Sequence, residues 1–279
     1  MNVKPLLIAL AVVLAVPNFI PVDINEQLSY NKKERFHPVL ASINSIDKLE
    51  KYVDNEAAFQ NIAMNSPEYA QLLSYFISCR FYHGFSHWKM NENWIAAVGE
   101  KITGIGLSCK VQPEDIMKNL DAACSQQALV MMEILKRKKI DYRKVGFPHH
   151  YAIEIKSAAK WYYFDPNMEP TMNLKQRIHE SWNGNNDILK NYYDSSKHAN
   201  LAYQFGNGVK AIFGPVNEIP AQHLRFFQSS TAVLSKILWC FPLIFLFAKS
   251  RKRNKKMHMV KPINNNPSYQ PNLNPVFSA

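Results

Sequence analysis

Three residues of this 279-residue chain have the types and the order needed for nucleophilic acyl chemistry: Cys124, His150 and Asp165. A thiol attacks a carbonyl, an imidazole moves the proton, and a carboxylate fixes the imidazole's tautomer and stabilises its charged form. The thiol's surroundings matter most. Asp121-Ala122-Ala123-Cys124-Ser125-Gln126-Gln127 leads into Ala128, Met131, Met132 and Leu135, apolar positions at helical spacing, and ends on the basic run Lys136 to Lys139. Cys124 is therefore expected in or just before the first turn of a helix. Unpaired N–H groups and the positive end of the helix dipole there favour a thiolate, and the same N–H groups can hold an oxyanion.

The other two residues need strands to bring them together. Val145 to Phe147 reads as a short strand that Pro148 ends before His149 and His150. Tyr151-Ala152-Ile153-Glu154-Ile155 and Lys160-Trp161-Tyr162-Tyr163-Phe164 follow as two runs rich in β-formers. Joined by the four residues Lys156 to Ala159, they form a hairpin in which His150 faces Asp165, with side chains roughly 5 Å apart. A slip of one residue would turn one of the two to the opposite face. His149 becomes the alternative base in that case.

In order and local pattern this stretch resembles the transglutaminase-like superfamily of cysteine acyltransferases and peptidases. The family's His-x-x-x-Glu-hydrophobic strand matches His150 to Ile155, and its aromatic-aromatic-Asp-Pro matches Tyr163 to Pro166. Lys138 to Gly146 is similar to its turn from catalytic helix to first strand. The likeness covers about 46 residues well and residues 70 to 170 more loosely. Where many members carry Arg-Asp after the cysteine, this chain has Ser125-Gln126-Gln127, so the substrate class stays open. The resemblance implies an α+β fold, papain-like or transglutaminase-like, with an N-terminal helical lobe and a catalytic helix packed on an antiparallel sheet. It also implies a thiolate–imidazolium pair oriented by a carboxylate. Peptidase or amidase activity on a protein or peptide substrate is favoured over cross-linking, because the calcium-ligand runs and extra domains of calcium-dependent cross-linkers are absent. Cell-wall amidases of the NlpC type, which usually open on Asp-Cys-Ser-Gly, and a non-catalytic scaffold are the competing readings.

Trp94, His149 and Gln126 are the substrate-cleft candidates. An aromatic such as Trp94 can shield an acyl intermediate from water, although a plain core role is the commoner use of a tryptophan. His83 and His87 share the i, i+4 spacing of some zinc sites, but Gly84 interrupts the helix and no third ligand follows at a recognisable spacing. No metal and no cofactor are expected. Each catalytic residue alone has a bland reading, as a small buried thiol, a structural histidine or a turn-forming Asp before Pro. Order and spacing together carry the functional one.

The charge balance points to a membrane. Of 33 Lys and Arg, nine lie beyond Glu218 with no acid among them and one, Lys4, precedes Asp23, which leaves residues 23–218 near neutrality, with 23 basic against 22 acidic. Nucleic acid is therefore not an expected partner. Residues 1–22, with the apolar run Leu6 to Val22, read as a signal peptide or an uncleaved anchor. Residues 231–248 read as a transmembrane helix, followed by Lys249, Arg251, Lys252, Arg253, Lys255 and Lys256, the basic flank of a cytoplasmic side facing anionic headgroups. Residues 23–65 are assigned to a linker and an N-terminal helical region, 66–218 to the transglutaminase-like domain and 249–279 to a basic disordered tail. The enzyme domain is expected outside the cytoplasm, where Cys79 and Cys109 form a disulfide or remain two buried thiols.

Overall fold

A computed structural model describes residues 3–25, 30, 34–195 and 200–258. The helices are α1 (Val3–Ala15), α2 (Ile46–Phe59), α3 (Pro67–Arg80), α4 (Met90–Thr103), α5 (Pro113–Ile116), α6 (Cys124–Arg137), α7 (Leu174–Arg177), α8 (His179–Trp182), α9 (Asn186–Lys190), α10 (Leu201–Phe205), α11 (Gln222–Ile237) and α12 (Cys240–His258). The strands are β1 (Tyr142–Gly146), β2 (Tyr151–Ser157), β3 (Lys160–Phe164) and β4 (Ile212–Val216), in one antiparallel sheet of order β3-β2-β1-β4. The chain divides into two compact units, Val16–Lys236 and Met1–Ala15 with Ile237–Ala279.

In the larger unit the sheet is buried on both faces, because successive residues of a strand point to opposite sides. Tyr142, Ile153, Ile155 and Phe164 pack with residues of α2, α3, α5 and α6 in one cluster. Val145, Ala152 and Tyr163 pack with Met168, Met172, Trp182, Leu189, Tyr193 and Phe205 in the other. Through Ile46, Leu49, Val53 and Ala57, α2 packs into the first cluster with α3 and α6. The helix starts follow from their caps: Ser45 Oγ accepts from the Lys48 N–H and Ser66 Oγ from the Tyr69 N–H, each at 3.3 Å.

The hairpin register differs from the expected one by two residues. Ser157 pairs with Lys160 and Ile153 with Phe164, so the loop is only Ala158-Ala159, with φ of 46° and 64°. Two consecutive left-handed residues are what a tight hairpin requires, and alanine occupies that region at a cost of about 1–2 kcal/mol per residue. Without Gly or Asn as a signal, the sequence suggests a longer loop. A shift of two preserves which side chains share a face, so the expected meeting of His150 and Asp165 survives the error.

The expected membrane helix over 231–248 is not one element. Thr231 and Ser235 are buried in the larger unit. Near them on α11, Gln228 Nε2 donates to the carbonyls of Leu107 and Cys109 at 3.0 and 2.7 Å. Polar side chains at helical spacing tie this half of the segment to the folded domain. The helix ends at Ile237 and a new one starts at Cys240, with Pro242 in its first turn, where a missing N–H costs nothing. No single described helix is long and apolar enough to cross a membrane; Gln222–Ile237 and Cys240–Arg251 meet the length and composition only as a broken pair. In the smaller unit α1 and α12 pack on each other, and Leu7, Leu10, Leu14, Phe241 and Phe245 line an apolar groove. Leu6, Val13, Ile244 and Phe247 are exposed. The tail expected to be disordered from Lys249 is helical through His258, and residues 259–279 lie outside the described ones.

Candidate active site

Cys124 is the first residue of α6, with Ala123 as N-cap, so its N–H is among those a helix leaves without an internal partner. The helix start is fixed by the chain of residues 82–86. Tyr82 bridges Asp121, the Tyr82 N–H donates to Leu120 O at 3.1 Å, and the Ala122 N–H donates to Tyr82 O at 3.1 Å. Ser86 Oγ donates to Asp121 O. Gln126 completes the clasp. Its Oε1 accepts from the N–H groups of Ser86 and Ala123 at 2.9 and 3.1 Å, and its Nε2 donates to the carbonyls of Ser86 and Lys110 at 2.9 and 2.8 Å. With both ends of its amide committed and its side chain buried, Gln126 has no capacity left for a substrate, and the cleft assignment is corrected to a positioning one. The remainder of α6, from Ala128 to Leu135, is buried with the sole exception of Glu133, which makes the helix a fixed base for the thiol.

His150 lies just before β2, and its Nε2 is 2.7 Å from Asp165 Oδ2, with both side chains buried. Asp165 Oδ2 also accepts from the Tyr193 hydroxyl at 2.8 Å, and Oδ1 accepts from the N–H groups of Asn167 and Met168 at 3.1 Å. Burial opposes a charge on Asp165. The charge of His150 and these hydrogen bonds outweigh it and hold the carboxyl below its usual range. Burial likewise opposes a charge on His150, yet the Asp165 carboxylate and, after it, the Cys124 sulfur push the imidazole up to about 10. Since Nε2 is engaged by the carboxylate, Nδ1 is the ring nitrogen available to the sulfur.

A second layer holds this pair. The Glu169 N–H donates to Asp165 O at 2.8 Å, and Glu169 is paired with the buried guanidinium of Arg177 and accepts from Ser74 Oγ. The Tyr163 and Tyr193 hydroxyls are 2.8 Å apart, so Tyr163 donates into the oxygen through which Tyr193 reaches Asp165. Tyr193 is the positioning residue sequence reasoning missed. It was visible only as half of an aromatic pair, with no spacing to connect it to the aspartate 28 residues earlier.

The remaining candidates fall elsewhere. Glu154 is fully buried, with Oε2 2.6 Å from Arg143 Nη2 and Oε1 2.9 Å from His179 Nδ1. Both of its oxygens are occupied, and it offers His150 no alternative partner. His149 is exposed, and its ring stacks on Tyr203 with centroids 3.9 Å apart and 3° between planes. Trp94 turns to α11, donating from Nε1 to Ser235 O at 3.1 Å, so its observed role is to join α4 and α11. His83 and His87 do not act together. His83 Nδ1 is 3.2 Å from Asn167 Nδ2, two residues after Asp165, which puts His83 beside the candidate site. All four cysteines are free thiols.

Comparisons with protein-family models, with curated proteins and with solved structures find no match to this chain.

Proposed function

We propose that this chain is a membrane-tethered thiol enzyme of transglutaminase-like type that cleaves amide bonds by acyl transfer. Cys124 is the nucleophile, His150 the general base and acid, and Asp165 the residue that orients the imidazole. The observation that carries the reading is the buried 2.7 Å contact between His150 and Asp165, in a domain where Cys124 holds the first position of a fixed helix. A helix packed on an antiparallel sheet also fits a papain-like arrangement. In the reaction the sulfur of Cys124 bonds to the carbonyl carbon of a peptide substrate, and the oxyanion is met by N–H groups at the start of α6. The proton held on His150 Nδ1 passes to the leaving amine. Water, deprotonated by the now neutral His150, then attacks the thioester and releases the acid and the free thiolate.

The test is thiol labelling. With iodoacetamide at graded pH, Cys124 is expected to react rapidly below pH 7. Cys79 is expected to lag because burial pushes its thiol up, and Cys109 because burial and the Glu100 carboxylate push it up to about 12. Peptide mapping that finds Cys124 no more reactive than an ordinary thiol at pH 6 would favour the scaffold reading instead.

For location, we infer that the apolar α1 and α12 unit anchors the chain and that the basic end from Lys249 faces the cytoplasm. Added protease should digest the domain within residues 23–230 on intact spheroplasts and spare the basic end. Protection of the domain until the membrane is lysed would reverse the topology.

A further inference from the structure

A second cluster of chemistry-bearing side chains lies outside the Cys124 site. His87, Glu100 and Cys109 each offer one ligand atom, and the three atoms lie within 4.8 Å of one another. The backbone sets two of them. His87 and Cys109 are partners in an isolated antiparallel bridge, flanked by Trp88 N–H to Ser108 O at 2.9 Å and Lys110 N–H to Ser86 O at 2.8 Å. Glu100 comes from α4 and points Oε1 between them, 3.5 Å from His87 Nε2 and 3.8 Å from Cys109 Sγ. A tetrahedral zinc ion bound at about 2.0 Å by nitrogen and oxygen and about 2.3 Å by sulfur has ligand-to-ligand edges of roughly 3.3–3.6 Å. Both of those edges are within a few tenths of an ångström of what the ion needs.

We propose that His87, Glu100 and Cys109 form a binding site for a zinc-class divalent cation, with water in the fourth position. The ligand set selects the class: thiolate and imidazole suit zinc or cobalt far better than calcium or magnesium, which take oxygen ligands. Outer contacts already orient the carboxylate, since Glu100 Oε2 accepts from the Ser108 N–H at 2.6 Å and from the Ser108 hydroxyl. His87 is buried; Nε2 is the ring nitrogen that faces Glu100, and Nδ1 has no hydrogen-bond partner among the described residues. Without metal, the Cys109 thiol donates to Glu100. On binding, the S–H proton leaves to solvent as the metal–sulfur bond forms, and affinity therefore rises with pH. The ion would act as a clamp. It joins α4 to the two chain segments whose neighbouring residues Ser86 and Lys110 hold Gln126 at the start of α6. This site does not depend on the activity proposed for Cys124.

Cobalt titration of the chelator-stripped full chain, kept reduced, provides the test. One Co²⁺ per chain should produce a sulfur-to-cobalt charge-transfer band in the near ultraviolet together with the visible bands of a tetrahedral ion. Zn²⁺ should displace it, and saturating Zn²⁺ should raise the thermal midpoint by about 5–10 °C. The Cys109→Ser and His87→Gln chains should lose the band and the thermal shift. A chain in which Cys79, Cys124 and Cys240 are all replaced by serine keeps Cys109 as its sole thiol and should retain the band. The proposal is overturned by a folded wild-type chain that yields no charge-transfer band, by a band that survives Cys109→Ser, or by its loss from the single-cysteine chain.

Discussion

Replacing Asp165 by Asn should lower turnover by roughly two to four orders of magnitude while leaving the protein folded. The amide keeps the size of the carboxylate, and its oxygen can still accept from the Asn167 and Met168 N–H groups. What it lacks is the charge 2.7 Å from His150 Nε2, and its NH2 group would face a ring nitrogen that must itself carry a proton. The wrong tautomer or a poorly stabilised imidazolium follows in either orientation. Tyr193→Phe is the control: it removes one neutral donor to Asp165 and leaves the charge, so the expected loss is about tenfold or less. The measurement is steady-state turnover of a chromogenic activated ester, with thermal unfolding to verify the fold. Near-normal turnover in Asp165→Asn would remove the orienting role altogether, because Glu154 is already committed to Arg143 and His179.

The same pair shapes stability against pH. The folded value of His150, about 10, lies above the ~6.5 of a free imidazole. Its contribution is therefore fully present below about 6.5 and is lost as pH rises through about 10. Asp165 is depressed, so its contribution is present above the ordinary carboxylate range and is lost as pH falls through its lowered value. The two statements describe one interaction seen from its two partners.

Much of this site was legible in the sequence because chain order and the period of two carry most of the information. Cys124 heading an apolar helix and His150 sharing a face with Asp165 both follow from patterns within 42 residues. The register was missed because two alanines make a turn that ordinarily takes Gly or Asn, and the parity of the error hid its consequence. Gln126 and Trp94 are placed by contacts of a different kind. Each lies near the right chemistry in sequence, but hydrogen bonds with Ser86, Lys110 and Ser235, the last two accepting through their carbonyls, decide what each does, and those residues come from other parts of the chain. The His87, Glu100 and Cys109 cluster is the extreme case, since its members meet through a backbone bridge and a helix and follow no motif spacing.

His150→Ala should slow alkylation of Cys124 at pH 6 by about a hundredfold, whereas His149→Ala should change it by about twofold or less. A free thiol, with a pKa of about 8.5, is roughly 0.3 % ionised at pH 6; a neighbouring imidazolium favours the reactive anion, and a helix N-terminus supplies a share of the same effect once the imidazole is gone. The adjacent histidine has no comparable means of acting. Its ring is stacked on Tyr203, its backbone N–H donates to Gln204 O at 3.0 Å, and it is exposed where His150 is buried. Rates are read by mass-spectrometric mapping of the peptide containing Cys124 across a pH series, with Cys79 as the internal slow reference. If His149→Ala produced the larger loss, the base would move one residue along the chain, and the contact between His150 and Asp165 would become a structural ion pair with no part in the chemistry.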